Sequence, residues 1–105
     1  MGKALFVVRA VLQDADERDA FDQWYREEHL PDAVRAFEAQ RGWRAWSRGE
    51  PSVHYAFYEF DSVERLQAAT TPDVLNALIA DFDRAWGERV SRTREVIEVA
   101  GELNG

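Results

Sequence analysis

His29 is the residue best suited to chemistry in this chain of 105 residues. Imidazole titrates near neutrality and can accept or return a proton at cellular pH. The residue stands in the run Trp24-Tyr25-Arg26-Glu27-Glu28-His29-Leu30-Pro31. Tyr25 precedes it by four positions, one helical turn away on the same face, and Trp24 and Glu28 share that spacing. Pro31 lacks a backbone donor and disfavours helix in the residue before it. A kink or short break is therefore expected at His29-Leu30, which would free backbone groups and aim the ring into a cavity. The blander alternative is a half-exposed histidine that satisfies a nearby carbonyl.

A second group of candidates comes from stretches of β character. Arg9 interrupts an otherwise apolar face of the first such stretch, and Tyr55, Glu59 and Arg94 are expected on the same side of the sheet. Cations and an aromatic among apolar walls suit a small organic ligand. The competing reading is a buried ion-pair network of Arg9, Glu59 and Arg94 that serves packing. A metal site built from Glu28, His29 and Asp32 is disfavoured, because there are only two histidines and they form no i, i+4 pair. His54, at the start of a hairpin strand, is expected on the surface or rim. Trp43, Trp46 and Trp86 read as core or interface aromatics.

These residues need six elements to position them. Positions 4–12 alternate as a strand with Ala4, Phe6, Val8, Ala10 and Leu12 on one face. Asp14 or Asp16 can cap the helix that follows, which runs through Phe21 and Trp24, resumes after Pro31 and stops near Gly42. Strands are expected over 43–48 and 53–60, joined as a hairpin by Gly49-Glu50-Pro51-Ser52. The segment 61–64 has capping-box form, and Thr71-Pro72 restarts the second helix, whose stripe Leu75, Leu78, Ile79, Phe82 and Trp86 ends near Gly87. The last strand is expected over 92–100, with Ile97 and Val99 in the core and Arg94 and Val96 opposite.

The order is β-α-β-β-α-β across one domain, 1–105. Such a chain builds a ferredoxin-like α+β fold, a four-stranded antiparallel sheet with its helices on one face. The other face would expose Val7, Val11, Tyr55 and Phe57, a liability that pairing with a second copy removes. A homodimer is thus expected on physical grounds.

Composition narrows the function classes. There is no cysteine, which excludes disulfides and thiolate chemistry. The net charge of −7 and pI near 4.8 disfavour nucleic acid and anionic membranes. No apolar run approaches a membrane span, and the N-terminal residues lack the pattern of a signal peptide, so a cytoplasmic location is the default.

The block Phe21-Asp22-Gln23-Trp24-Tyr25-Arg26-Glu27-Glu28-His29-Leu30-Pro31 resembles the W-Y-x-x-E-H-x-P signature of EthD-like proteins and their relatives in the dimeric α+β barrel superfamily. The segment 81–90 resembles small bacterial members. The resemblance implies a homodimer with facing sheets and a cavity between sheet and helices in each subunit. It implies His29 as the acid/base, the one position carried over; Trp24 and Tyr25 are ligand-binding candidates from their place in the same run. Members include cofactor-free monooxygenases, lactone isomerases, polyketide cyclases and haem-degrading proteins.

The reading carried forward is a homodimer that binds an acidic or enolisable small molecule and needs no cofactor. His29 would shuttle a proton in an isomerase, cyclase or monooxygenase reaction, and Arg9 or Arg94 would hold a carboxylate or enolate. The alternative is a non-catalytic binding or interaction module whose open sheet face is only a dimer interface.

Overall fold

The computed structural model describes residues 2–105. Four antiparallel strands form one sheet in the order β2-β3-β1-β4: β1 is Ala4–Leu12, β2 Arg41–Trp46, β3 Val53–Phe60 and β4 Val90–Glu98. The helices α1 (Arg18–Trp24), α2 (Leu30–Phe37), α3 (Val63–Ala69) and α4 (Pro72–Ala85) are packed through their buried residues onto one face. The order and the sheet are those of the ferredoxin-like fold.

The alternation of β1 sets the layers. Ala4, Phe6, Val8, Ala10 and Leu12 lie in the core with Phe21, Phe37, Leu66 and Phe82 from the helices. Because Phe6 faces Tyr58, Val8 faces Ala56 and Ala10 faces His54, these β3 residues join the same layer. Leu5, Val7, Arg9 and Val11 point to the other face with Tyr55, Phe57 and Glu59.

The caps follow side-chain chemistry. Asp14 accepts from the Asp16 N–H at 2.9 Å, Ser62 from Arg65 at 3.1 Å and Thr71 from Val74 at 3.4 Å. Pro72 then occupies the first helical position, where its missing donor costs nothing.

Three expectations are corrected. Pro31 does not break the helix. Residues Tyr25–His29 instead form a π turn, with the Leu30 N–H donating to the Tyr25 carbonyl, and helix continues without a gap into α2. A wider turn absorbs the proline's missing donor and ring bulk while keeping neighbouring carbonyls bonded. The helix ends at Phe37, not near Gly42, because Glu38 turns left-handed (φ 52°) and its N–H caps back to Arg35 and Val34. Gly42 serves a different purpose, since a Cβ there would lie 2.5 Å from Val34 Cγ2. Finally, β2 and β4 each begin two residues earlier than expected. Arg41 already pairs with Glu59, and Val90 with Leu12.

Candidate functional site

The π turn positions the central residue. Widening the helix at Tyr25–His29 turns both side chains inward, and His29 is only 8% exposed. Its ring stacks on Trp24 (centroids 4.8 Å apart, 17° between planes) and meets Tyr25 and Phe82 edge-on at 4.9 and 5.6 Å. No protein group among the described residues hydrogen-bonds to it, and neither ring nitrogen is sealed from solvent. Burial, helped by the Arg92 charge, lowers its pKa to about 4, against a smaller opposing pull from Asp32 and Asp81. His29 is therefore neutral at pH 7 and free to accept a proton.

His29 borders a narrow cleft between the sheet and α4. Tyr25, Tyr58, Arg92 and Arg94 are its polar lining, and Phe6, Val8, Leu78 and Phe82 are among its apolar walls. The Tyr25 and Tyr58 hydroxyls lie 3.4 Å apart and share one hydrogen bond. Burial pushes the Tyr25 phenol up to about 12 and raises Tyr58 as well, so both remain protonated donors. Arg92 is held in place: its guanidinium lies 3.9 Å from the centre of the Phe82 ring and donates to Asp83 at 2.6 Å. Arg94 is exposed and has no ion-pair partner among the described residues. Both arginines of the cleft lie on the edge strand β4, where Val96 is also exposed.

The cavity is about 30 Å³, room for one or two waters. Its α4 wall is thinly held, because only Leu78 and Phe82 of that helix are buried. An organic ligand needs more room than this.

The sheet divides the residues that were expected together. Arg94 lies opposite Val8 and therefore on the helix side, with Arg92 and His29. Its expected place beside Arg9 is corrected. As an edge strand β4 is exposed on both faces, so the apolarity of Ile97 and Val99 does not identify an inner side. Arg9 and Tyr55 stand opposite each other on the open face, where Arg9 approaches Glu50 at 3.9 Å. Glu59 is on that face too, but it pairs with Lys3 (3.7 Å) and Arg41 (3.4 Å) rather than with Arg9 or Arg94. The proposed Arg9–Glu59–Arg94 network therefore does not form. Trp24 and Tyr25 both touch His29.

Sequence reasoning overlooked Arg92 and Tyr58. The signal was available: Val90, Arg92 and Arg94 alternate along β4 and face Leu12, Ala10 and Val8. It also misjudged His54, which is 0% exposed rather than at the rim. Extending the inward series Phe60, Tyr58 and Ala56 by two residues leads to His54. The ring packs against Tyr25 and Trp46 at 4.6 and 4.9 Å, and burial together with Arg44 lowers its pKa to about 3. Its Nε2 lies 3.3 Å from Arg44, whose guanidinium also donates to Asp22 at 2.9 Å. Trp46 Nε1 donates to the same Asp22 oxygen at 2.8 Å, and these bonds hold that carboxyl below its usual range. The cluster ties α1 to the β2–β3 hairpin.

No family model and no curated protein matches the chain. Solved structures do match. An EthD family protein from Bacillus halodurans is 20% identical with a TM-score of 0.67, over 91% of this chain and 98% of that one. SnoaB, a cofactor-independent oxygenase from Streptomyces nogalater, is 14% identical with a TM-score of 0.64 over the full length of both chains. A dimeric ferredoxin-like protein from an uncultured marine organism is 15% identical with a TM-score of 0.56, over 98% of this chain and 100% of that one. The chain therefore has the ferredoxin-like α+β fold that these EthD-family, oxygenase and dimeric proteins share.

Proposed function

We propose that this protein is a small-molecule enzyme that works by proton transfer from an acidic or enolisable substrate. The observation that carries the reading is His29, buried and neutral, in the same cleft as the cation Arg94, both without a protein partner among the described residues. His29 takes the proton, and Arg94, seconded by Arg92, holds the resulting enolate, phenolate or carboxylate. The Tyr25–Tyr58 pair offers a hydroxyl to the same anion, and Trp24 keeps the imidazole plane fixed. For an enolisable substrate, isomerisation, cyclisation and cofactor-free mono-oxygenation can each start from such a deprotonation. The fold shared with a cofactor-independent oxygenase agrees with this reading. Among the described residues no helix is long and apolar enough to cross a membrane; a cytoplasmic location remains part of the proposal.

The test is deuterium exchange from solvent into a panel of β-diketones and hydroxyaromatic acids. The wild type should accelerate exchange of at least one probe, and His29→Gln should slow it by roughly 10²–10⁴-fold. Arg94→Gln should weaken binding of the same probe. Equal exchange by His29→Gln and wild type would remove the mechanism. The narrowness of the cleft favours a second reading, a binding or interaction module without turnover, and failure of every probe to bind would favour it.

The open sheet face supports a homodimer. Trp43, Phe57 and Tyr55 stack in a row across it, with centroids 5.4 and 6.1 Å apart, and Ile97 is 38% exposed. Pairing two such faces covers the aromatic row and brings Arg9 and Tyr55 of each copy into the interface. Sedimentation should report a dimer at micromolar concentration. Phe57→Lys should shift it to monomer, and a monomeric wild type would sink the proposal.

A further inference from the structure

His29 lines two cavities. One is the cleft. The other is an outer recess of about 310 Å³ between the π turn and α4, walled by Trp24, Glu28, Asp32, Asp81, Arg84 and Ala85 as well as His29 itself. The ring thus borders both the inner space and the outer one. It is 8% exposed and has no hydrogen-bond partner among the described residues, and neither of its nitrogens is sealed.

The charges on its two sides have opposite character. On the cleft side stand Arg92 and Arg94, with the neutral Tyr25 beside the ring. On the recess side stand Glu28 from the π turn, Asp32 from α2, and Asp81 and Arg84 from α4. Arg84 donates to Asp81, and Arg35 donates to Asp32 at 2.7 Å. Each carboxylate retains further lone pairs for water or an N–H. Asp32 and Asp81 favour the imidazolium, whereas Arg92 opposes it.

We infer that His29 is a proton conduit through the wall of the cleft, discharging into the recess toward Asp32 and Asp81. The inference rests on the proton-transfer reading above. A neutral imidazole carries one N–H and one bare nitrogen. The bare nitrogen takes the substrate proton and the ring becomes imidazolium. The opposite nitrogen then gives its own proton to recess water held by the carboxylates, and the ring is neutral again in the other tautomer. Return of a proton by the same path, or a ring flip, restores the starting form. A base confined with its ligand gains by an exit that the bound ligand does not occupy. Asp32 and Asp81 act here as proton-accepting residues outside the substrate pocket.

The test is ¹⁵N NMR of the His29 ring N–H at pH 7, with 4-hydroxybenzoate as the cleft probe. In the wild type this proton should exchange rapidly with water. The double variant Asp32→Asn/Asp81→Asn should slow the exchange by about tenfold or more, as loss of a general acceptor does. Ala85→Phe, which plugs the recess, should slow it likewise. Unchanged exchange in the double variant would overturn the conduit, whether or not Ala85→Phe folds. Saturation with 4-hydroxybenzoate should leave the wild-type exchange rate unaltered, and exchange that stops on saturation would make the cleft the route and also overturn it. If the probe leaves the Tyr58 and Arg94 resonances unmoved, the ligand reading of the cleft fails for that probe, while the two variants still report on the recess.

Discussion

Between pH 6.5 and pH 4 the protein should lose about 6 kcal/mol of folding stability through two histidines. Both have an unfolded value of 6.5, and burial depresses His29 to about 4 and His54 to about 3 in the folded state. A depressed histidine binds its proton more readily when unfolded. Its contribution is therefore complete above pH 6.5 and falls as the pH drops toward the folded value. At pH 4 each histidine has given up roughly 3 kcal/mol at 1.36 kcal/mol per unit. A loss of that size is a large share of the roughly 5–15 kcal/mol typical of a domain. Guanidinium unfolding at pH 7.5, 6.5, 5.5 and 4.5 measures it. The interval from 6.5 to 5.5 is the cleanest, because few carboxylates titrate there. His54→Phe should roughly halve the slope in that interval. A flat profile between pH 6.5 and 5 would refute the account of both rings as buried and neutral.

Phe21→Ala should cost about 3–5 kcal/mol, as large-to-small changes of buried aromatics do. Phe21 is 0% exposed and is the hub of an aromatic cluster. Its centroid lies 5.1 Å from His54, 5.2 Å from Trp86, 5.5 Å from Tyr25, 6.0 Å from Trp46 and Phe82 and 6.2 Å from Trp24. Removing the ring leaves a void that rigid aromatics on several sides cannot close. Phe21→Leu refills most of that volume and should recover more than half of the loss. Denaturation midpoints of the two variants decide the matter. A cost under 1 kcal/mol for the alanine variant would mean the cluster collapses freely.

Much of the fold was legible because each strong element announces itself locally. β1 and β3 carry clear alternation, and Ser62 and Thr71-Pro72 mark helix starts by side-chain chemistry that does not depend on distant contacts. The site was less legible. Arg94 was assigned to the wrong face because β4 lies at the sheet edge, where neither side is dry enough for hydrophobicity to identify the inner one. His54 was misjudged because its residue type outweighed the strand alternation that leads inward from Phe60 through Tyr58 and Ala56 to it. The effect of Pro31 was foreseen near the right residues but in the wrong form, since a wide turn and a break share the same proline signal. That Glu59 pairs with Lys3 and Arg41 depends on where β2 and the N-terminal residues approach β3, which no local pattern encodes.

The π turn can also be regarded as a matter of helical phase. A wide turn is an α-helix that has accepted one residue too many. Each residue of an α-helix advances the chain by 100°. Deleting one residue between 25 and 29 would let the segment close into an unbroken α-helix, but every residue from Arg18 to Trp24 would swing by about 100° relative to α2. Phe21 would leave the aromatic cluster, and Asp22 would part from Arg44 and Trp46. The surplus residue thus acts as a phase adjuster. It lets α1 present its core face to the hairpin while the last residue of the π turn, His29, and Ala33 of α2 face the cleft, two orientations that one regular helix of this sequence cannot satisfy together.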